Sequence, residues 1–390
     1  MQLRRGVRLA LHAGALVPTL VAYLLGVLPR ARLHRRRAPR ILWGTTPIAN
    51  LRNSVRADRL YGYESESLVF GVYHPSDRAG FDHVWEGGIR GLRQLRGYAA
   101  FLWAASRFDV FCFYFDGGLL RETPFWRLEL PLLRLAGKKV VVWPYGGDAR
   151  LPSATRARGG WHAYSAVPEG AEDRDEADVR ARLHAFAKAD AVLGCADLVE
   201  DLPRVDGVLP YPFDPTGWEP VQAPDDGVVR VVHAPNHPHY KGTGYLEAAV
   251  ARLREEGLPV ELMLVQGLSN AEARREYERA DVVADQFLIG AYALFAIEGM
   301  ALGKPVLCYL NPRFASYHPE WADAPIVRAD PDTLERRLRR LVEDRALRCE
   351  LGARGPDYVR RHHSLEAVGA QLASHYGRLW PDGPNAGSTR

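Results

Sequence analysis

Residues 277–309, YERADVVADQFLIGAYALFAIEGMALGKPVLCY, limit the fold of this chain more than any other stretch. Their apolar residues predict a short strand at 282–284, a helix that begins behind Gly290, and a second strand at 305–310. In a strand–helix–strand unit the start of the helix faces the end of a strand. Free backbone N–H groups and the helix dipole meet there, so this stretch predicts an anion site.

Glu298 follows Gly290 on the same predicted helix, about two turns further in. Its carboxylate could accept hydrogen bonds from the hydroxyls of a ribose whose phosphates lie at the helix start. An ordinary strand–helix–strand unit with an exposed glutamate has the same pattern. The pattern alone therefore leaves both interpretations open.

Short apolar runs alternate with helical segments along most of the chain. The runs are 41–43, 68–73, 108–115, 139–143, 189–194, 208–210, 228–233 and 261–266. This alternation predicts an α/β fold with parallel sheets covered by helices on both faces. Ligands of such folds lie at the carboxyl ends of the strands, so the candidate loops of the first half are 44–46, 116–118 and 145–150.

The segment 290–306, GAYALFAIEGMALGKPV, resembles the sugar-nucleotide motif of family 4 of the glycosyltransferases, also called glycosyl transferases group 1. These enzymes have the GT-B fold, two Rossmann-like doubly wound domains that face a central cleft, and most of them are retaining. The family pattern is a Glu, seven residues, a second Glu, and a small-Met-Ala-x-Gly-x-Pro-Val tail. Glu298 and residues 299–306 match, whereas Gly290 replaces the first Glu, which faces the donor sugar in the family.

The family also carries an Arg and then a Lys-Gly pair, whose cations hold the diphosphate. Lys241 and Gly242 match the pair, and Asn236 stands at the Arg position. The resemblance therefore implies a donor site formed by Asn236, Lys241, Gly242, Gly290, Ala291, Tyr292, Leu294 and Glu298. It implies catalytic roles for Lys241, Glu298 and Asp148.

Loops of the first half resemble the family less closely. Residues 145–148, YGGD, are similar to its His-Gly-x-Asp turn, with Tyr145 in place of the His that contacts the donor sugar. Asp148 keeps the carboxylate of the motif, and capping of the following turn is an equally good role for it. The implied acceptor site consists of Gly44, Thr45, Thr46, Asp116, Tyr145 and Gly147.

A proline-rich stretch at 211–220 predicts the boundary between two domains. We expect an acceptor domain at 40–215 and a nucleotide-sugar domain at 216–364. A final helix at 365–380 crosses back to the first domain in the family, and we expect a disordered tail at 381–390.

Residues 1–39 form an apolar and basic segment before these domains. Arginines flank the uncharged run 9–29, which approaches the roughly 20 residues that span a bilayer. A spanning anchor, an in-plane anchor and a helix packed on the protein remain open, with peripheral membrane contact through residues 1–37 favoured. No Ala-x-Ala-like cleavage site follows the run, and the arginines after it favour a cytoplasmic location at the inner face of the membrane.

Several functions are disfavoured. The chain has no Gly-x-Gly-x-x-Gly after a strand, no Walker motif and no Gly-x-Ser-x-Gly, which argues against dinucleotide oxidoreductases, NTP-hydrolysing motors and Ser–His–Asp hydrolases. The net charge of +4 is mild, so we expect no nucleic-acid partner. The four cysteines lack metal spacing, and Asp173-Arg174-Asp175 lies in a charged run, so we expect no bound metal.

The sequence therefore predicts a glycosyltransferase that uses a nucleotide-diphosphate sugar as co-substrate and needs no cofactor. The acceptor would be a glycan or a lipid-linked molecule, and likeness to the family implies transfer with retention. Replacement of donor-facing groups by Gly290, Asn236 and Tyr145 supports an alternative. In that alternative the chain is a non-catalytic relative that binds sugar nucleotide weakly or acts as a scaffold for a partner enzyme.

Overall fold

The computed structural model describes residues 2–33, 38–72, 78–87 and 93–381. The predicted tail lies outside these residues except for its first position. Two parallel β-sheets with helices on both faces form the molecule, which confirms the α/β, doubly wound fold class.

The first sheet has seven strands in the order β3-β2-β1-β4-β5-β6-β7. Its strands are β1 (Arg40–Thr45), β2 (Glu64–Val69), β3 (His83–Val84), β4 (Val110–Phe113), β5 (Lys139–Val142), β6 (Ala191–Gly194) and β7 (Gly207–Val208). The chain order reverses between β1 and β4. Loops after these two strands therefore line a crevice at the carboxyl edge of the sheet.

The second sheet has five strands in the order β12-β11-β10-β8-β9. Its strands are β8 (Val229–His233), β9 (Val260–Leu264), β10 (Val282–Ala284), β11 (Val306–Cys308) and β12 (Ile326–Arg328). The order reverses between β8 and β10, so the loops after these two strands face each other at the second crevice.

Helices cover both faces of each sheet. They are α1 (Gln2–Ala22), α2 (Leu28–Leu33), α3 (Ala49–Leu60), α4 (Arg96–Ala105), α5 (Glu129–Leu135), α6 (Pro152–Ala157), α7 (Glu176–Phe186), α8 (Pro238–Lys241), α9 (Thr243–Glu255), α10 (Asn270–Arg279), α11 (Leu294–Ala301), α12 (Leu334–Glu343), α13 (Arg345–His362) and α14 (Leu365–Leu379). A π-helical turn, Tyr23–Val27, joins α1 to α2.

The central strands β4, β5, β6, β10 and β11 are almost wholly apolar because both of their faces are covered. In β5, for example, Val140 and Val142 belong to one buried cluster and Val141 belongs to the cluster on the opposite face. This continuous apolar pattern is typical of buried parallel strands and explains why the sequence marks them clearly.

The last helix, α14, packs against α3 of the first half. Gly369 permits the close approach, because a Cβ at this position would lie 2.7 Å from a ring carbon of Tyr61. Tyr376 of α14 also reaches the buried carboxylate of Asp58, with 3.4 Å between the hydroxyl and Oδ2. The C-terminal helix is thus part of the core under the first sheet.

One predicted element begins elsewhere in the structure. The helix expected directly behind Gly290 begins at Leu294, with Ala293 as its N-cap residue. Gly290 instead has φ +89°, a left-handed conformation that a helix cannot continue through. Glu298 therefore lies about one turn from the helix start rather than two.

Candidate active site

The loops after β8 and β10 meet at an ion pair between Lys241 and Asp285. Lys241 Nζ lies 3.1 Å from Asp285 Oδ1, and the Asp285 side chain is fully buried. The backbone N–H of Ala293, at the start of α11, donates to Asp285 Oδ2 at 2.8 Å. The predicted anion position at this helix start therefore holds a carboxylate of the chain itself.

Backbone contacts join the two loops. The N–H of Phe287 donates to the carbonyl of Lys241 at 2.9 Å. Gly242 has φ +79°, so it turns the chain between α8 and α9, and a Cβ there would lie 3.2 Å from Leu288. A side chain at position 242 would thus be strained in both backbone and packing.

Glu298 lies close enough to Lys241 and Asp285 for their charges to affect its pKa. Burial raises the pKa of Glu298 to about 8, and the charge of Asp285 contributes to the rise. The positive charges of Lys241 and Arg274 act in the opposite direction on this pKa. Glu298 is therefore largely protonated at neutral pH, whereas Lys241 and Asp285 form an ion pair.

His233 connects the end of β8 to the start of α9. Its Nδ1 lies 2.7 Å from the carbonyl oxygen of Ala284, and its Nε2 lies 2.9 Å from Thr243 Oγ1. Because a carbonyl only accepts, Nδ1 carries the proton and Nε2 accepts from the threonine hydroxyl. Burial lowers the pKa of His233 to about 4, so this histidine is a neutral structural link.

The other predicted donor-site residues take different positions. Gly290 accepts a hydrogen bond from the N–H of Asn311 at 2.9 Å, and the carbonyl of Ala291 accepts from the amide of Gln286. Leu294 is half-buried at the start of α11, and Asn236 is exposed.

Tyr292 faces the protein interior. Its hydroxyl lies 3.0 Å from that of Tyr358 and 2.8 Å from His363 Nε2. Only the backbone of Tyr292 remains as a candidate contact for a ligand in the groove. The donor role of these residues stays a prediction.

A second polar cluster lies at the carboxyl edge of the first sheet. Thr46 Oγ1 is 3.0 Å from both carboxylate oxygens of Asp116, and Arg121 Nη1 is 3.0 Å from Asp116 Oδ2. The hydroxyl of Tyr145 lies 3.3 Å from the same carboxylate and accepts from Arg174 Nη2 at 2.8 Å. These residues come from four separate parts of the chain, so only the fold brings them together.

Asp148 stabilises the turn formed by residues 145–148, at whose end it lies. Its carboxylate accepts hydrogen bonds from the backbone N–H groups of Tyr145 at 3.0 Å, Gly146 at 2.8 Å and Phe115 at 3.1 Å. Burial raises its pKa to about 7, and the charge of Asp116 adds to this rise. The geometry is that of a capping residue, and a catalytic role for Asp148 stays a prediction.

The remaining predicted acceptor residues surround this cluster. Gly44 lies in β1, and Thr45 Oγ1 donates to the carbonyl of Gly118 at 3.2 Å. Gly147 is half-buried beside the Arg174 side chain. The predicted acceptor residues thus lie near one another in the first half of the chain, as several of the predicted donor residues do in the second half.

Asp285, Arg121 and Arg174 are the polar residues that sequence analysis left out of the site. Asp285 directly follows a buried strand, which was a usable signal, because polar residues at strand ends line the crevices of α/β folds. Arg174 lies in a charged run that gave no such signal. Its contact with Tyr145 depends on how the segment before α7 folds back.

Residues 161–173 reach across the groove from the first half to the second. Trp161 Nε1 donates to Asp332 Oδ2 at 2.7 Å, and the N–H of Asp173 donates to the Tyr240 hydroxyl at 3.3 Å. Tyr240 immediately precedes Lys241, and its ring also packs against Tyr164. We call residues 161–173 the bridging segment. It contacts the residue next to the lysine.

No group of three or more His, Cys, Asp or Glu side chains is arranged to hold a metal ion within the ranges that the structure describes. His237 and His239 are exposed, whereas His233 is committed to the contacts given above. The described histidines of this loop thus do not converge on one point.

Known structures resemble this fold over most of its length. Sucrose-phosphate synthase (tll1590) from Thermosynechococcus elongatus superposes with a TM-score of 0.59 and 17% identity over 88% of this chain and 99% of that chain. Anabaena Alr3699/HepE in complex with UDP-glucose superposes with a TM-score of 0.54 and 12% identity over 87% of this chain and 100% of that chain. A glycosyltransferase from Rickettsia africae ESF-5 has a TM-score of 0.52 and 11% identity over 88% of this chain and 99% of that chain. No protein-family model and no curated protein sequence matches the chain.

Proposed function

We propose that this chain, which has the GT-B fold of glycosyltransferases, transfers a sugar from a nucleotide-diphosphate donor to a hydroxyl-bearing acceptor. One observation carries the proposal. Lys241 and Asp285 form an ion pair where α11 starts, at the switch point of the second sheet, and Glu298 lies about one turn further along the same helix. Ligands of doubly wound folds bind at such switch points.

A nucleotide sugar is the proposed donor. The similar Anabaena protein is described with UDP-glucose bound, which supports a donor of this class. Glu298 would accept hydrogen bonds from the ribose hydroxyls of the donor. Lys241 would contact the diphosphate, as the resemblance of its loop to family 4 implies.

The proposed chemistry follows from charge. Cleavage of the bond between the anomeric carbon and the phosphate oxygen leaves the bonding electrons on the diphosphate. Lys241 and the backbone N–H groups at 290–292 would stabilise this charge as it develops. The acceptor oxygen forms the new bond to the anomeric carbon, and its proton passes to the departing diphosphate. We propose that transfer proceeds with retention and without a metal ion.

The polar cluster of the first half is the proposed acceptor site. Asp116 and Tyr145 offer hydrogen-bonding oxygens for acceptor hydroxyls, and Arg121 and Arg174 offer positive charge. This combination suits a glycan or a lipid-linked acceptor that carries an acidic group. The proposed location is the cytoplasmic face of the membrane, with peripheral contact through residues 1–37.

A second candidate is a non-catalytic relative that binds sugar nucleotide weakly or supports a partner enzyme. Asp285 favours it, because this carboxylate already neutralises Lys241 and occupies the N–H of Ala293. A diphosphate would have to compete with Asp285 for both groups. Gly290 also lacks the carboxylate that faces the donor sugar in family 4.

Hydrolysis of a panel of UDP-, GDP- and dTDP-sugars by the purified protein tests the proposal, together with thermal shifts by the free nucleotides. We expect Lys241→Ala to slow turnover by about 100-fold or more. Lys139→Ala is the matched control, because Lys139 forms a similar ion pair with Asp190 on the first sheet, 3.0 Å between Nζ and Oδ1. Nucleotide binding without turnover favours the second candidate. Absence of both would contradict both candidates.

A further inference from the structure

The N-terminal helical segment, α1 to α2, exposes an unusual apolar surface. The side chains of Leu9, Leu11, Val17, Val21, Leu24 and Leu25 are between 47% and 77% exposed. We call these side chains the apolar face. No charged residue interrupts the sequence between positions 9 and 29.

The polar side chains of the same segment point inward instead. His12 Nδ1 lies 3.2 Å from the Tyr98 hydroxyl, and both rings are buried. The Tyr23 hydroxyl donates to the carbonyl of Leu132 at 2.5 Å, and the Tyr23 side chain is fully buried. Thr19 is also buried, and its hydroxyl donates to the carbonyl of Ala15 at 2.7 Å.

This arrangement is the reverse of that in a water-facing helix, which turns its polar side chains outward. Contiguous exposed apolar surface of this kind marks a contact with a partner or a membrane. Arginines at 4, 5 and 8 precede the uncharged run, and arginines at 30, 32 and 35–37 follow it. Cations at both ends match an anionic lipid surface.

The structure also distinguishes a helix that lies on the membrane from one that crosses it. Leu9–Ala31 is long and apolar enough to span a bilayer by composition. Buried contacts with α4 and α5, however, extend from His12 to Val27, about 22 Å along the helix axis. A spanning orientation would carry α5, with exposed Arg134, into hydrocarbon, and a charge there is costly.

We propose that residues 9–29 lie flat in the surface of an anionic membrane. The apolar face enters the boundary between head groups and acyl chains, and the flanking arginines contact lipid phosphates. The buried face, with His12 and Tyr23, holds the enzyme body against the helix. This makes the chain a monotopic protein whose first half is fixed to the bilayer.

Vesicle flotation of the full chain tests the proposal. We expect the protein to float with phosphatidylglycerol–phosphatidylcholine vesicles and to bind phosphatidylcholine vesicles much less. The double variant Val21→Glu/Leu25→Glu should lower the partition coefficient by at least about tenfold, because two apolar side chains lose their burial in lipid. Leu60→Glu/Leu264→Glu is the matched control, since both residues are exposed leucines outside the segment. It should bind as the unaltered chain does.

Four outcomes would overturn the proposal. Absence of binding, or equal binding to both kinds of vesicle, removes the anionic membrane as partner. Resistance of the cell-membrane pool to extraction at alkaline pH identifies a spanning helix. Loss of the first residues in the intact mass of protein from its native host identifies a cleaved signal. A dimer without lipid that the double variant abolishes identifies a second copy as the occupant. Melting curves check that both variants fold.

Discussion

Lys241 Nζ lies 3.1 Å from the fully buried carboxylate of Asp285, which also accepts the N–H of Ala293 at the start of α11. The Asp285 side chain thus contacts both groups, the lysine and the N–H at the helix start, that the sequence analysis assigned to a diphosphate. The ion pair holds the lysine toward the groove and at the same time reduces the positive charge that a ligand meets. We therefore expect the affinity for a nucleotide-diphosphate donor to depend on how Asp285 and the diphosphate share these contacts.

Asp285→Asn should destabilise the protein by about 3 kcal/mol, because neutralising the fully buried partner leaves the charge of the partly buried Lys241 uncompensated. UDP should then raise the melting temperature more than it does in the unaltered chain, since its diphosphate supplies the missing charge. Calorimetry with and without UDP measures both effects. Asp109→Asn is the control, because Asp109 forms the same kind of lysine–aspartate pair with the buried Lys138 of the first half. Equal UDP shifts in all three proteins would contradict the prediction.

Glu298 should make stability depend on pH. Its pKa rises from 4.5 to about 8 on folding, so the folded state binds the proton more tightly between these values. The contribution of Glu298 to the free energy of unfolding is fully present below about pH 4.5 and is lost as the pH rises to about 8. Glu298→Gln stays neutral and lacks this decline. Between about pH 6 and pH 9 the unaltered chain should lose about 2 kcal/mol more than the variant in urea unfolding. Parallel curves would show that Glu298 is ionised throughout.

Gly290→Glu should not restore donor contacts, although it introduces the family carboxylate. Gly290 has φ +89°, and a Cβ there would lie 2.8 Å from the Cβ of Asn311. We expect Gly290→Glu and Gly290→Ala to lose about 1 to 3 kcal/mol each in chemical unfolding. Gly244→Ala is the control, because no atom lies within 4 Å of its added Cβ. Higher turnover in Gly290→Glu would refute the steric argument.

The bridging segment should strengthen binding of the donor. Trp161→Phe and Asp332→Ala each remove the hydrogen bond of 2.7 Å that crosses the groove. A double-mutant cycle should give a coupling energy of about 1 kcal/mol in stability. Each single variant should raise KM for the donor with little change in kcat, because the segment contacts Tyr240, which immediately precedes Lys241. Additive effects would show that this hydrogen bond does not join the two halves.

The sequence alone was enough to predict the fold class, which the structure confirms, and it proposed a donor site in one half of the chain and an acceptor site in the other. Parallel strands such as β5 are apolar on both faces, and this local pattern needs no partner to be recognised. Lys241 and Glu298 were identified from residues close to each of them in sequence. In the structure Lys241 is paired with Asp285, and Glu298 lies on the helix whose first N–H groups include the one that Asp285 accepts. Convergence of Lys241 and Glu298 on one ligand stays a prediction.

Only the tertiary structure decided which groups these side chains contact. Three contacts depend on loops that meet across the fold. Asp285 takes the place of an external anion at the start of α11, Tyr292 turns into the core, and Arg174 lies beside Tyr145. The apolar face of residues 9–29 is a further case, because composition gave its length and packing on α4 gave its direction. Periodicity and propensity are local properties of the chain, whereas burial, charge pairing and pKa depend on residues far apart in sequence.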